Sequence, residues 1–388
     1  MNGSASPRRR HARLDYSPQL DGLRAVAVVA VFLYHAKIPF FEEGGYIGVD
    51  VFFVLSGFLI TTLLLRERDE TGRIALRAFY VRRIRRLAPA AVLVASTVAA
   101  VFLVATWVTS RRDTVLGALA ALAQFSAWPR ALEVNELGWM GHAWSLSVEE
   151  HFYLVWPVLV SLALWRWPTR VSAVITVVAA AGIVYGNVVP HLLGWSVPRT
   201  YNGPDTRASD ILIGCLLAVM LHHRPQLGGR QPWISFIGVL GFTGLALWTT
   251  LVGSRGPLYV NWNILVVLAS AAVVLHLFRC PHSLLSRVMA TPVLVWIGLR
   301  SYGIYLIHSP VIGLLRPVTG GATTLLAALI TVVLAALSYT YVETPIRRHG
   351  FRSAARRASG ALTGRRRGDV GDPADTHVGA SGGSTRPH

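Results

Sequence analysis

The sequence predicts an all-α integral membrane protein, a polytopic helical bundle of about ten transmembrane helices with both termini cytoplasmic. Three observations predict it. Hydrophobic residues make up 53% of the 388 and charged residues only 14%, a balance foreign to soluble domains. Apolar runs of spanning length, about 20 residues each, recur along nearly the whole chain. The arginines fall between those runs and at both ends, where they can orient the spans.

The first run, 20–38, follows a basic stretch and imitates a signal peptide. No small-residue cleavage site follows and the next run begins at once, so a retained helix is expected. The second run, 46–65, opens GGYIGVDVFFVLSGFLIT. Ahead of the third, 88–108, RIALRAFYVRRIRRLAPA reads as a basic amphipathic stretch on the inner face. Runs at 143–165, 171–190, 208–223, 233–252, 259–278, 292–316 and 322–343 complete the ten. An eleventh candidate, 114–128, is short and lies in a polar segment. If it does not span, roughly 27 of the 37 basic residues fall inside and about 8 outside; if it spans, every later basic loop and the C-terminal tail move outside. Residues 109–142 are therefore read as an outer loop containing a re-entrant or interfacial piece. The chain divides into a basic cytoplasmic N-tail (1–17), a membrane domain (18–348) and a disordered basic C-terminal tail (349–388) rich in Arg, Gly, Ser and Ala.

The formal charge of +18 is almost all arginine, with Lys37 the only lysine. Such a balance raises nucleic acid as a partner. Arginines set between apolar runs serve topology and lipid headgroups instead, so the expected partner is the bilayer, with no nucleic acid. Cys215 and Cys280 lie in or beside apolar runs with no metal-ligand spacing, so neither metal nor disulfide is expected.

Polar residues inside the runs carry the functional signal, because a charge near the bilayer centre costs about 2.5–3.5 kcal/mol on insertion scales. Arg24 and His35 are 11 residues apart, about 16 Å along a helix and about 20° around it, so they share a face at opposite depths. Asp21 lies one turn from Arg24 and can pair with it. Asp50 starts the second span at a depth similar to His35. Ser145, Glu149, Phe152 and Trp156 form one stripe of the fourth span, with Glu150 turned by about 100° and His151 by about 200°. Asp205 and Arg207 sit at the outer mouth of the sixth span. Tyr305 and His308 lie within the ninth, with Arg300 deeper, and Glu343 closes the last. Each residue also has a plain structural reading: a helix–helix hydrogen bond for His35, an interfacial anchor for Arg24, a topology signal for RRIRR, an ion pair for Glu149 or Glu150, and carbonyls freed by Pro310 for His308. The joint pattern outweighs them.

Taken together, LDGLRAVAVVAVFLYH, GYIGVDVFFVLSGFLIT, FYVRRIRRLAPA, HAWSLSVEEHFYLVWP, DTRASDILIGCLLA, SYGIYLIHSPV and SYTYVETPIRR resemble, in order and over about residues 18–348, the acyltransferase 3 family of membrane O-acyltransferases. The resemblance implies an essential histidine at His35 with its Arg-x10-His partner Arg24. It implies an R-x-x-R at Arg83 and Arg86, a spacing the overlapping Arg82 and Arg85 share. Glu149 matches the first Glu of the S-x-E-E signature. The sequence departs from the family at His151, where Gln is common, and the expected form is a stand-alone one, without an SGNH-type esterase domain after the last span.

The chemistry expected is transfer of an acetyl or other short acyl group from cytoplasmic acyl-CoA to a hydroxyl of a glycan, a glycolipid or a secreted natural product such as a macrolide. His35 would be the base and Glu149 or Asp50 the carboxylate that fixes its tautomer. Arg82, Arg83, Arg85 and Arg86 would hold the phosphates of coenzyme A. Glu150, Asp205, Arg207, Tyr305 and His308 are the candidate substrate contacts. A second copy of the chain is left open as a partner. The competing reading is a proton-linked exporter, which also needs buried Glu, His and Arg but commonly shows two matching halves, and no such symmetry is visible.

Overall fold

A computed structural model describes residues 16–104, 110–224, 231–251, 257–315 and 321–350. The expected tails lie almost wholly outside the described residues. Among those residues every regular element is helical.

Helix α1 (Pro18–His35) starts on a proline, which needs no N–H partner in the first turn, and carries Asp21 there. A short 3₁₀ turn leads into α2 (Gly48–Thr71), which ends at Gly72 in the left-handed conformation. Then come α3 (Leu76–Val104), α4 (Arg111–Leu122) and α5 (Ala127–Ala131). A 3₁₀ stretch at Gly138–Ala143 opens α6 (Trp144–Arg166), followed by α7 (Val171–Leu192), α8 (Val197–Asn202) and α9 (Pro204–His223). The second half runs α10 (Pro232–Leu251), α11 (Pro257–Arg279), α12 (Leu284–Met289), α13 (Pro292–Leu299), α14 (Ser301–Leu315) and α15 (Gly321–Leu337). A π-helical turn, Ser338–Glu343, joins α15 to α16 (Thr344–His349).

Two expected boundaries move. The amphipathic stretch and the third run are one helix: α3 continues for 29 residues through its arginines and through Pro89. The ninth run is broken at Arg300 into α13 and α14. The 114–128 candidate is mostly α4, whose 12 residues rise about 18 Å, short of the roughly 30 Å hydrocarbon layer. Ser110 caps it by accepting the Asp113 N–H at 3.0 Å.

Among the described residues six helices are long and apolar enough to cross a membrane: those in α2, α3, α7, α10, α11 and α15 with its continuation. The remaining predicted runs form α1, α6, α9 and α13–α14. They are shorter or more polar because they carry His35, Glu149, Arg207 and His308 into the interior, where protein rather than lipid meets them. Outward faces are apolar, with Leu154, Val177, Val184, Phe236 and Leu325 exposed. The centre is α2, buried along most of its length around Phe53, Leu55, Phe58 and Leu64. It meets α9 backbone to backbone. Gly57 faces the carbonyl of Ile211 and Gly214 faces that of Val54, and a Cβ at either glycine would overlap the other helix.

Candidate active site

His35 is the last residue of α1 and half-buried. Its Nδ1 lies 2.9 Å from the carbonyl of Val31, one turn back, and 3.3 Å from Nε2 of His308 on α14. His308 in turn places Nδ1 2.6 Å from the carbonyl of Tyr305. A third imidazole, His142, has Nδ1 2.9 Å from the carbonyl of Trp139. The ring centroids stand 4.9 Å apart for His35–His308 and 5.1 Å for His142–His308. A carbonyl can only accept, so each Nδ1 carries the proton and each Nε2 presents a lone pair. His308 Nε2 takes the second share of the His35 N–H. His35 Nε2 makes no hydrogen bond among the described residues.

Beside this cluster lies a polar cavity of about 90 Å³, walled by α1, α2, α3, α6 and α14. Arg24, Arg83 and Arg86 line it, with Ser56, Ser145, Glu149 and Tyr305. Tyr305 belongs to both regions: its hydroxyl is 2.6 Å from Ser145 Oγ and donates to the His142 carbonyl at 3.0 Å, while its ring centroid is 5.4 Å from that of His308. Arg83 makes a bifurcated pair with Glu150, Nη2–Oε1 2.8 Å and Nε–Oε1 3.1 Å, and its guanidinium lies 3.1 Å over the Tyr153 ring. Arg83 and Arg86 are one helical turn apart and share the cavity face. Arg82 and Arg85 do not line the cavity, and Arg82 faces Glu67 at 3.9 Å, which separates the two overlapping arginine registers.

Several expected partnerships are redrawn. Glu149 does not reach His35; it accepts a hydrogen bond from Ser56 at 2.9 Å on the cavity side. The Val31 carbonyl, present at i−4 of any helical residue, does the tautomer fixing assigned in sequence to a carboxylate. Asp50 forms an ion pair with Arg207, whose other nitrogen holds Asp210 at 2.8 Å, and all three are buried. Asn263 and Ser209 complete the Asp210 shell. Arg207 is thus in the core between α2 and α9, not at an acceptor's doorway. Asp205, two residues earlier, points the other way and binds Arg199 at 2.9 and 2.6 Å. Arg24 pairs with Asp21 at 3.0 Å, as its one-turn spacing suggested.

His151 is turned from the cavity as its helical phase required. It bonds the Ser147 carbonyl at 2.6 Å and lines a second, mostly apolar cleft of about 450 Å³ between α3, α4 and α6, which shares Arg83 and Tyr153 with the first cavity. Sequence reasoning passed over His142. Its one signal was its place at the head of the motif stretch HAWSLSVEEHFYLVWP.

The acyltransferase-domain family model matches residues 17–343. The chain is 36% identical over 366 residues to the putative peptidoglycan O-acetyltransferase YrhL of Bacillus subtilis, covering 88% of this chain and 56% of that protein. It is 33% identical over 354 residues to the peptidoglycan O-acetyltransferase OatA of Listeria monocytogenes, covering 87% and 56%. To the O-acetyltransferase OatA of Staphylococcus aureus it is 32% identical over 362 residues, covering 88% and 58%. The chain therefore spans little more than half the length of these curated relatives. No solved structure matches.

Proposed function

The chain belongs to the acyltransferase 3 family and is a multi-pass membrane acyltransferase, and from that premise we propose that it moves an acetyl or other short acyl group from cytoplasmic acyl-CoA to a glycan hydroxyl. All ten predicted runs cross the membrane in this reading, with both termini on the cytoplasmic side and 109–142 outside. The relatives' names make peptidoglycan the first acceptor to test; a glycolipid or a secreted product such as a macrolide comes after it. The exporter reading is not favoured by a family of acyltransferases.

His35 is the general base. Its Nδ1–H is held by the Val31 carbonyl, so Nε2 is free to take the proton of the acceptor hydroxyl as that oxygen attacks the thioester carbonyl. The tetrahedral oxyanion collapses, the C–S bond breaks, and the thiolate of coenzyme A leaves with the proton returned from His35. Arg83 and Arg86 on the inner half of α3 receive donor phosphates, with Glu150 keeping Arg83 aimed at the cavity. Glu149, bonded to Ser56, balances the arginine charge on the opposite wall. The observation that carries the reading is Tyr305, whose two faces make the arginine-lined cavity and the imidazole cluster neighbours.

The test uses purified full-length protein in proteoliposomes, with acetyl-CoA as donor and soluble muropeptides as acceptor. His35→Ala should abolish transfer; activity near wild type would remove His35 as the base. Arg83→Ala combined with Arg86→Ala should weaken acetyl-CoA binding at least tenfold while the protein stays folded, and an unchanged affinity would refute the donor site.

A further inference from the structure

We propose that His308 is the positioning residue of the reaction, a neutral imidazole standing where a catalytic triad places a carboxylate. The proposal rests on His35 acting as base.

The geometry is a chain of three links. His35 Nδ1–H is shared between the Val31 carbonyl at 2.9 Å and His308 Nε2 at 3.3 Å. His308 Nδ1–H is anchored on the Tyr305 carbonyl at 2.6 Å, which fixes the tautomer that leaves Nε2 able to accept. His308 is buried and its ring meets that of His35 at 69°, edge to face. The candidate carboxylates are committed elsewhere, Glu149 to Ser56 and Asp50 to Arg207. When His35 takes a proton on Nε2, the positive charge spreads over its ring and Nδ1–H becomes a stronger donor. Val31 and His308 are the groups placed to meet it. A neutral acceptor suits this depth, because a second charge beside His35 would carry a desolvation cost an imidazole does not. His308 is thus more than a cap on helix carbonyls: one ring nitrogen does that work and the other faces the base.

The experiment compares His308→Leu, which has no acceptor, with His308→Gln, whose amide can accept from His35 and donate to Tyr305. Transfer is measured in the proteoliposome assay, with His35→Ala alongside. The expected result for His308→Leu is a loss of about 100-fold in kcat with both KM values unchanged. His308→Gln should stay within about threefold of wild type. A leucine variant within threefold of wild type, with His35→Ala inactive, overturns the positioning role and leaves the base intact. An active His35→Ala overturns the base reading itself. Should the leucine variant fail to fold, nitrogen-15 spectra of selectively histidine-labelled wild-type protein decide the matter, with the His35 signals assigned against His35→Ala. A proton on Nδ1 of His35 together with an unprotonated, hydrogen-bonded Nε2 on His308 supports the proposal, and a proton on Nε2 of either ring overturns it.

Discussion

Two of the charged clusters among the described residues are built on opposite terms. Asp50, Arg207 and Asp210 bind α2 to α9 in the core, and every member is buried. Arg83, Glu149 and Arg24 line a cavity, each half-buried, and Glu150 holds Arg83 from the adjoining cleft. The first pairs each charged side chain with another of the chain and ties two helices together. The second leaves room for another molecule's charge. A buried ionisable residue in a membrane protein is thus not by itself a functional residue; what separates the two cases is whether the partners are all on the chain.

The difference can be broken by substitution. Arg207→Met should do the most damage, because it leaves two carboxylates facing each other without their cation. A loss of about 3–5 kcal/mol is expected, read as a collapse in folded yield and melting temperature in detergent. Adding Asp50→Asn and Asp210→Asn should recover much of it, and no recovery would mean the triad is not what holds that seam.

Glu150→Gln attacks the open cluster instead. It should raise the KM for acetyl-CoA by about tenfold through misaimed Arg83 while moving the melting temperature little. An equally large fall in stability would make the two clusters alike. Tyr305→Phe sharpens the contrast further, removing one hydroxyl that links the cavity to the His142 carbonyl. A drop of about tenfold in kcat at constant donor KM is expected, measured by initial rates over a range of acetyl-CoA.

The smallest effect belongs to neither cluster. Hydrogen bonds from Ser110 at 2.6 Å and Asn135 at 2.9 Å hold the Asp113 carboxyl below the usual carboxylate range at the start of α4. A depressed folded value means the contribution is complete above the unfolded value of about 3.9 and fades as pH falls through the folded one. Asp113→Asn should therefore narrow the stability gap between pH 7 and pH 3 and leave the dependence on pH between pH 6 and pH 8 unchanged, as thermal melts from pH 3 to pH 8 would show.

Much of the fold was legible because apolar length is a local property: α2, α7 and α15 announce themselves. What stayed hidden depended on partners far away in the chain. The arginines of α3 read as a cytoplasmic surface stretch because Glu150, which draws Arg83 inward, is 67 residues on. The break between α13 and α14 falls at Arg300, whose charge inside the ninth run was read as depth and not as a break. At the site, His35, Tyr305 and His308 could be picked out by type and phase, yet the contact of His35 with His308 spans 273 residues and has no sequence signature. The carboxylate partner was expected from the logic of triads. The backbone filled that role, and a backbone carbonyl is the same for every residue.

At Gly57 and Gly214 the main chains of α2 and α9 touch directly. A contact of this kind contains no side chain that could change rotamer, so it behaves as a weld, not a hinge. Rocking one half of the bundle against the other, as a carrier must, has no seam to run along at this place.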